Sequence, residues 1–242
     1  MKVLQTSLNI VYPKIDSFRK KFVNSEEKLK KSFLQTTLLP VPDEAAPEIP
    51  RVIANTPGSH SMLNMGLTVA AFNTNYDNDF VSNWDKCVAY VKRHTDVINS
   101  FISELTDTRE YVGHITNIDI EDATDGVDRL KKILFDNARY GDAAELSCKF
   151  TYIVDETYYV NITVANKEKY NAEVINNRVY LNETTAKLLS VLIDVNDRYA
   201  ASRNRDYVSD QAAIDRIFEL TTDFINNKLS TFIESGELSY EG

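Results

Sequence analysis

The sequence predicts an α+β protein, an antiparallel sheet covered by two long amphipathic helices, built by internal duplication of a strand-strand-helix unit. Three observations lead there. Segments that alternate apolar and polar residues with a period of two recur along the chain. Two long segments, Asp79–Leu105 and Ser209–Ile233, repeat apolar residues at helical spacing. Those two segments also resemble each other. The predicted organisation is one α+β domain over 1–242, with pseudo-repeat halves about 50–123 and 145–235 and an N-terminal strand and basic helix over 1–39.

From Lys2 to Tyr12, Leu4, Thr6, Leu8, Ile10 and Tyr12 alternate, which predicts a strand that Pro13 ends. Ile15, Phe18, Phe22, Leu29 and Phe33 predict a first helix over about 15–33, with Arg19, Lys20, Lys21, Lys28 and Lys31 on its polar side. Pro40, Pro42, Pro47 and Pro50 make an extended connector. Arg51–Asn55 and Ser61–Tyr76 then read as two strands around a Pro57-Gly58 turn.

Phe80, Trp84, Cys87, Val88, Val91, Ile98, Ile102 and Leu105 form one stripe, so a long helix is predicted over 79–105. Tyr111–Asp122 alternates again as a strand, and Val127–Leu134 suggests a short helix. Three or more strands follow between Leu146 and Val195, with hairpin turns at Asp155-Glu156 and Asn176-Asn177. Ser209 is a candidate cap for the last helix, and Gly236 its stop.

Laying Asp79 on Asp206, an offset of 127, aligns eight identities in the 27 positions of 79–105, among them Thr95-Asp96 and Asn99. Ordinary residue frequencies would give roughly two. Amphipathicity explains the apolar matches but not the polar ones, hence the predicted duplication. A second echo, Ile118–Asp122 against Ile193–Asp197, has a different offset.

Composition narrows function. With 43% hydrophobic residues the chain can bury a substantial core. A formal net charge of −9 argues against a general nucleic-acid binder. The N-terminal residues lack a long apolar signal core, and no run of about 18 apolar residues occurs, which predicts a cytoplasmic protein with no membrane span. Cys87 and Cys148 read as reduced, small apolar side chains.

Catalytic signatures are missing from the sequence. His60, His94 and His114 fall on a turn, a helix and a strand, and no phosphate-binding glycine loop or nucleophile elbow occurs. No cofactor is expected. Asp119 and Asp194 are the best carboxylate candidates, with Glu121, Asp122 and Asp197 nearby. Alternate carboxylates at strand ends can share a face and hold Mg²⁺, so a metal-dependent hydrolase or nuclease is one alternative. A small-ligand binder with a pocket lined by Tyr152, Tyr158 and Tyr159 is another. The basic side of the first helix, with Arg203 and Arg205 before the last one, is a candidate interaction surface for an acidic partner or anion.

Pro47–Ile53, Gly58–Ser61 and Asn73–Phe80 with Trp84, followed by Ser190–Val195 before a terminal helix, resemble a sporadically distributed group of conserved hypothetical bacterial and phage proteins. The resemblance covers about 47–105 and 188–233 and brings no catalytic residues with it. It implies a fold and a bacterial or phage setting, such as defence, immunity or toxin neutralisation. The function expected from all of this is non-enzymatic binding or assembly, through a protein partner or as a homo-oligomer.

Overall fold

A computed structural model describes residues 1–121, 130, 144–238 and 240. Among these residues nine antiparallel strands form one sheet in the order β2-β3-β4-β5-β1-β6-β9-β8-β7. They are β1 (Lys2–Val11), β2 (Gln35–Leu38), β3 (Val52–Asn55), β4 (Ser61–Met65), β5 (Val69–Asn75), β6 (Tyr111–Glu121), β7 (Ser147–Val154), β8 (Tyr158–Ile175) and β9 (Arg178–Asn196). Outward from the β1–β6 pair, one side runs β5, β4, β3, β2 and the other β9, β8, β7.

Most alternating segments become strands because each has one buried face: Leu8, Ile10, Phe72, Val112, Ile118, Val191 and Ile193 are all essentially inaccessible. The expected single strand over Ser61–Tyr76 is instead the hairpin β4–β5, folded at Gly66–Thr68. Gly66 is required there, since a Cβ would sit 2.6 Å from the Pro47 carbonyl oxygen. That contact brings the proline connector against the turn, where Leu67 N–H donates to Pro47 O (2.7 Å). Arg51, fully buried, gathers the same connector: its guanidinium donates to the carbonyls of Pro42, Ala45, Ala46 and Ile49 at 2.5–3.1 Å.

The first helix is shorter than the stripe suggests. It consists of α1 (Phe18–Ser25) and a 3₁₀ segment, Glu26–Lys31. The next, α2 (Trp84–Ile102), starts five residues later than expected, after turns at Asp77–Asn83. Its N-cap is Asn83, whose side chain accepts from Lys86 N–H. After α3 (Arg198–Arg203), the last helical stretch is not one uniform α-helix: α4 (Gln211–Asp223) runs through a π turn at Phe224–Lys228 into α5 (Leu229–Ser235). Its cap is Asp210, not Ser209, and Gly236 ends it in the left-handed conformation (φ 78°). The short helix expected around Val127–Leu134 lies outside the described residues, apart from Leu130.

The α2 and α4 helices pack on the same sheet face. His94 of α2 stacks on Phe72 (5.3 Å), and Phe218 of α4 lies 4.8 Å from His114. Phe72 and His114 both pair in register with Leu8, so they point the same way. The two helices run antiparallel: Trp84 Nε1 donates to Thr222 Oγ1 (3.1 Å) at one end, and Asn99 donates to Gln211 Oε1 (2.8 Å) at the other. Arg109 ties this second end down, donating to Asn99 Oδ1 and to the Ser209 carbonyl. The segments of the second sequence echo are neighbours in the sheet, where Ile118 faces Val191 and Thr116 faces Ile193.

Candidate interaction surface

The strands β8 and β9 are much longer than the sheet they belong to. On one side β7 pairs with β8 as far as Ser147↔Ala165, and on the other the described part of β6 pairs with β9 as far as Glu121↔Leu188. From Asn166 to Lys187 the two strands continue together as a hairpin, through to Ile175↔Arg178. Its turn residues, Asn176 (φ 51°) and Asn177 (φ 60°), have the left-handed backbone that a two-residue hairpin turn needs and that asparagine tolerates. Ten residues per strand project roughly 30 Å beyond the last neighbouring strand among the described residues.

This arm carries an unusual surface. Val174, Val179 and Leu181 are 70, 65 and 61% exposed, and Tyr170, Ile175 and Tyr180 also lie open. They are six of the thirteen large hydrophobic side chains exposed among the described residues. Val174 faces Val179 and Ala172 faces Leu181, two cross-strand pairs two residues apart, so these four share one face. The opposite face is mixed, with Glu173 opposite Tyr180 and Ile175 opposite Arg178.

The base of the arm is anchored electrostatically. Asp119, 1% exposed, accepts from Lys167 Nζ at 3.0 and 3.1 Å, and Lys169 Nζ lies 3.5 Å away. Thr185 donates to the Lys169 carbonyl (3.1 Å), and the Tyr170 hydroxyl bonds Glu168. A carboxylate out of water with two ammonium groups and two converging hydrogen bonds is a strong positional restraint. Asp119 therefore fixes where the arm leaves the sheet.

Asp194 lies on the same sheet face but is engaged elsewhere. It pairs across from Ile115, whereas Asp119 pairs across from Ser190. Four residue steps separate them, roughly 13 Å along the strands. Its carboxylate accepts from the amides of Asn161 (3.2 Å) and Asn196 (3.0 Å). The two aspartates are not brought together, and among the described residues no three His, Cys, Asp or Glu side chains are placed to hold a metal ion. Glu121 pairs with Lys2, Asp197 is buried beneath Val112 N–H and the Tyr207 hydroxyl, and Asp122 lies outside the described residues.

The three tyrosines proposed for a ligand pocket do not share one. Tyr152 and Tyr158 belong to the helix-covered side, Tyr152 against Tyr240 (5.1 Å), while Tyr159 alternates to the other face and meets Tyr199 (5.3 Å). The motif segments around His60 and Asn73–Phe80 do converge. They enclose a cavity of about 60 Å³ lined by His60, Asp77, Phe80 and Tyr90. It is several times smaller than a typical ligand site. His60 Nε2 lies 3.7 Å from Asp77 Oδ2, and the Tyr90 hydroxyl joins Ser61, Thr74 and Thr56 in a hydroxyl network. The other histidines are buried, His94 behind the Tyr90 ring (4.3 Å) with Nδ1 donating to the Tyr90 carbonyl, and His114 between Trp84 and Phe218.

The basic residues of the first helix are partly committed to the fold. Arg19 donates to the carbonyls of Leu39 and Val41, Lys21 to that of Leu105, and Lys28 pairs with Glu104. Lys20 and Lys31 are exposed. Arg203 lies over the Tyr199 ring (4.4 Å), and Arg205 is exposed close by in sequence. Both cysteines are free; burial pushes the Cys87 thiol up to about 12, which leaves it inert.

Sequence reasoning found the arm's strands and its Asn-Asn turn but not its exposure. Among the described residues no helix is long and apolar enough to cross a membrane. No protein-family model matches the chain, and neither does any curated protein.

Proposed function

We propose that this chain is a non-enzymatic binding or assembly protein whose working surface is the β8–β9 arm. The carrying observation is the apolar face made by Val174, Val179, Leu181 and Ala172 on a ribbon with no other strand beside it among the described residues. A two-stranded ribbon is marginal in water by itself. Burying a valine or leucine side chain recovers about 1.5–3 kcal/mol, so an occupant of this face gains several kcal/mol before ordering costs. The anchoring of the arm by a buried carboxylate supports a presented surface in preference to a loose excursion of the chain.

Site-directed photo-crosslinking in cells tests this reading. A crosslinker at Val179 is expected to capture protein efficiently, and one at Lys20 is not. Equal capture from both positions, or none from Val179, overturns it.

We also propose that the two halves arose by duplication. The strand order supports this with other bounds than the expected 50–123 and 145–235: apart from β2 at the edge, β1, β5, β4, β3 and β6, β9, β8, β7 run outward in the same way, which puts β1 in the first half and β6 in the second. The helix caps support it too: Asn83 and Asp210, each bonding the N–H three residues on, stand at the offset of 127 at which the sequences align.

A further inference from the structure

We infer that the occupant of the arm is a second copy of this chain, the apolar faces of two arms packing against each other about a twofold axis; this rests on the arm being the working surface. Three observations favour a copy.

The first is the distribution of apolar surface. Outside the arm, the exposed large hydrophobics among the described residues fall on separate elements, such as Val23 on α1, Met62 on β4, Ile153 on β7 and Val208 before α4. Among the described residues the arm is therefore the largest cluster of exposed large hydrophobic side chains that another arm can meet. A twofold contact is self-complementary and closes at two copies.

The second is charge. The chain carries −9, but Asn166–Lys187 holds four basic residues (Lys167, Lys169, Arg178, Lys187) against three acidic ones (Glu168, Glu173, Glu183). Like-charged molecules meet at least cost through the segment that lacks their common charge.

The third is reach. With the arms antiparallel, the two acidic bodies lie at opposite ends of a ribbon pair about 30 Å long, beyond the Debye length of about 8 Å at physiological salt. Arm-to-arm packing thus brings apolar faces together while holding the charged bodies apart.

Sedimentation of the full chain from about 1 to 100 µM tests the inference. The wild type is expected to reach twice the 27.5 kDa of one chain. The double substitution V174E/V179E is expected to weaken association about 100-fold while leaving the near-ultraviolet circular dichroism unchanged. Should that variant misfold, a chain with Asn171–Asn182 replaced by a short Asn-Gly turn serves the same purpose, because the shortened hairpin keeps the Asp119 anchor. A wild type that stays at 27.5 kDa throughout, or dimers that persist in the charged or shortened variant, overturns the inference. A monomeric wild type that still crosslinks from Val179 to a different protein overturns the second copy but leaves the arm as working surface.

Discussion

His114 is where a single side chain ties the core to pH. It sits on β6 facing the helices, fully buried, with Trp84 at 6.3 Å and Phe218 at 4.8 Å. Neither ring nitrogen has a hydrogen-bond partner among the described residues, and burial lowers its pKa from 6.5 to about 3. The unfolded chain therefore binds a proton below pH 6.5 that the folded chain refuses. Its contribution is intact above pH 6.5 and is lost progressively as pH falls toward about 3. Between pH 7 and pH 5 this amounts to about 2 kcal/mol. Replacing it (His114→Phe) is expected to flatten that part of the stability profile, as measured by urea denaturation at the two pH values. An equal loss in both proteins would show that His114 is not the group responsible. His94, also held low by burial, is present in both and cancels from the comparison. The sequence shows His114 on an alternating strand, but its isolation comes from Phe218, 104 positions later, so it cannot be read locally.

At the scale of elements, the two helix caps give a quantitative comparison. Asn83 Oδ1 accepts from Lys86 N–H at 3.0 Å, and Asp210 Oδ1 from Ala213 N–H at 2.8 Å. Losing such a cap costs about 1 kcal/mol. Asn83→Ala and Asp210→Ala are each expected to lower Tm by about 2–4 °C in calorimetry. A negligible effect at either site would mean that the cap there adds nothing to its helix. Ser209 is of a residue type that caps helices, but the side chain one residue later reaches the amide. Other boundaries were obscured for similar reasons. Alternation runs unbroken through Leu63, Met65, Leu67 and Val69, hiding a turn marked only by Gly66. The four residues of β2 are too few to show a period. The arm is the most instructive case, because Ala172-Val174 and Val179-Leu181 alternate just as Val160-Ile162 do. A period of two says that one face is apolar, not that anything covers it. Whether it is covered depends on which elements lie beside it, which is a property of the sheet.

For the whole molecule, charge and apolar surface act in opposite directions on self-association, and salt separates them. Each copy carries −9, made of +1 on the arm and −10 on the rest of the chain. At an ionic strength of about 10 mM the Debye length is about 30 Å, as long as the arm, so the bodies of two copies repel across the pair. At about 150 mM it falls to about 8 Å and the repulsion is screened, while burial of Val174, Val179 and Leu181 is hardly affected. Association through the apolar face must therefore tighten as salt is raised over this range, by several-fold in sedimentation equilibrium. An interface built instead on Lys20, Lys31 or Arg205 against the acidic surface of a neighbour would loosen under the same change, because screening would remove its attraction. The sign of the salt dependence thus decides between an apolar arm contact and a basic-to-acidic contact without any substitution in the protein.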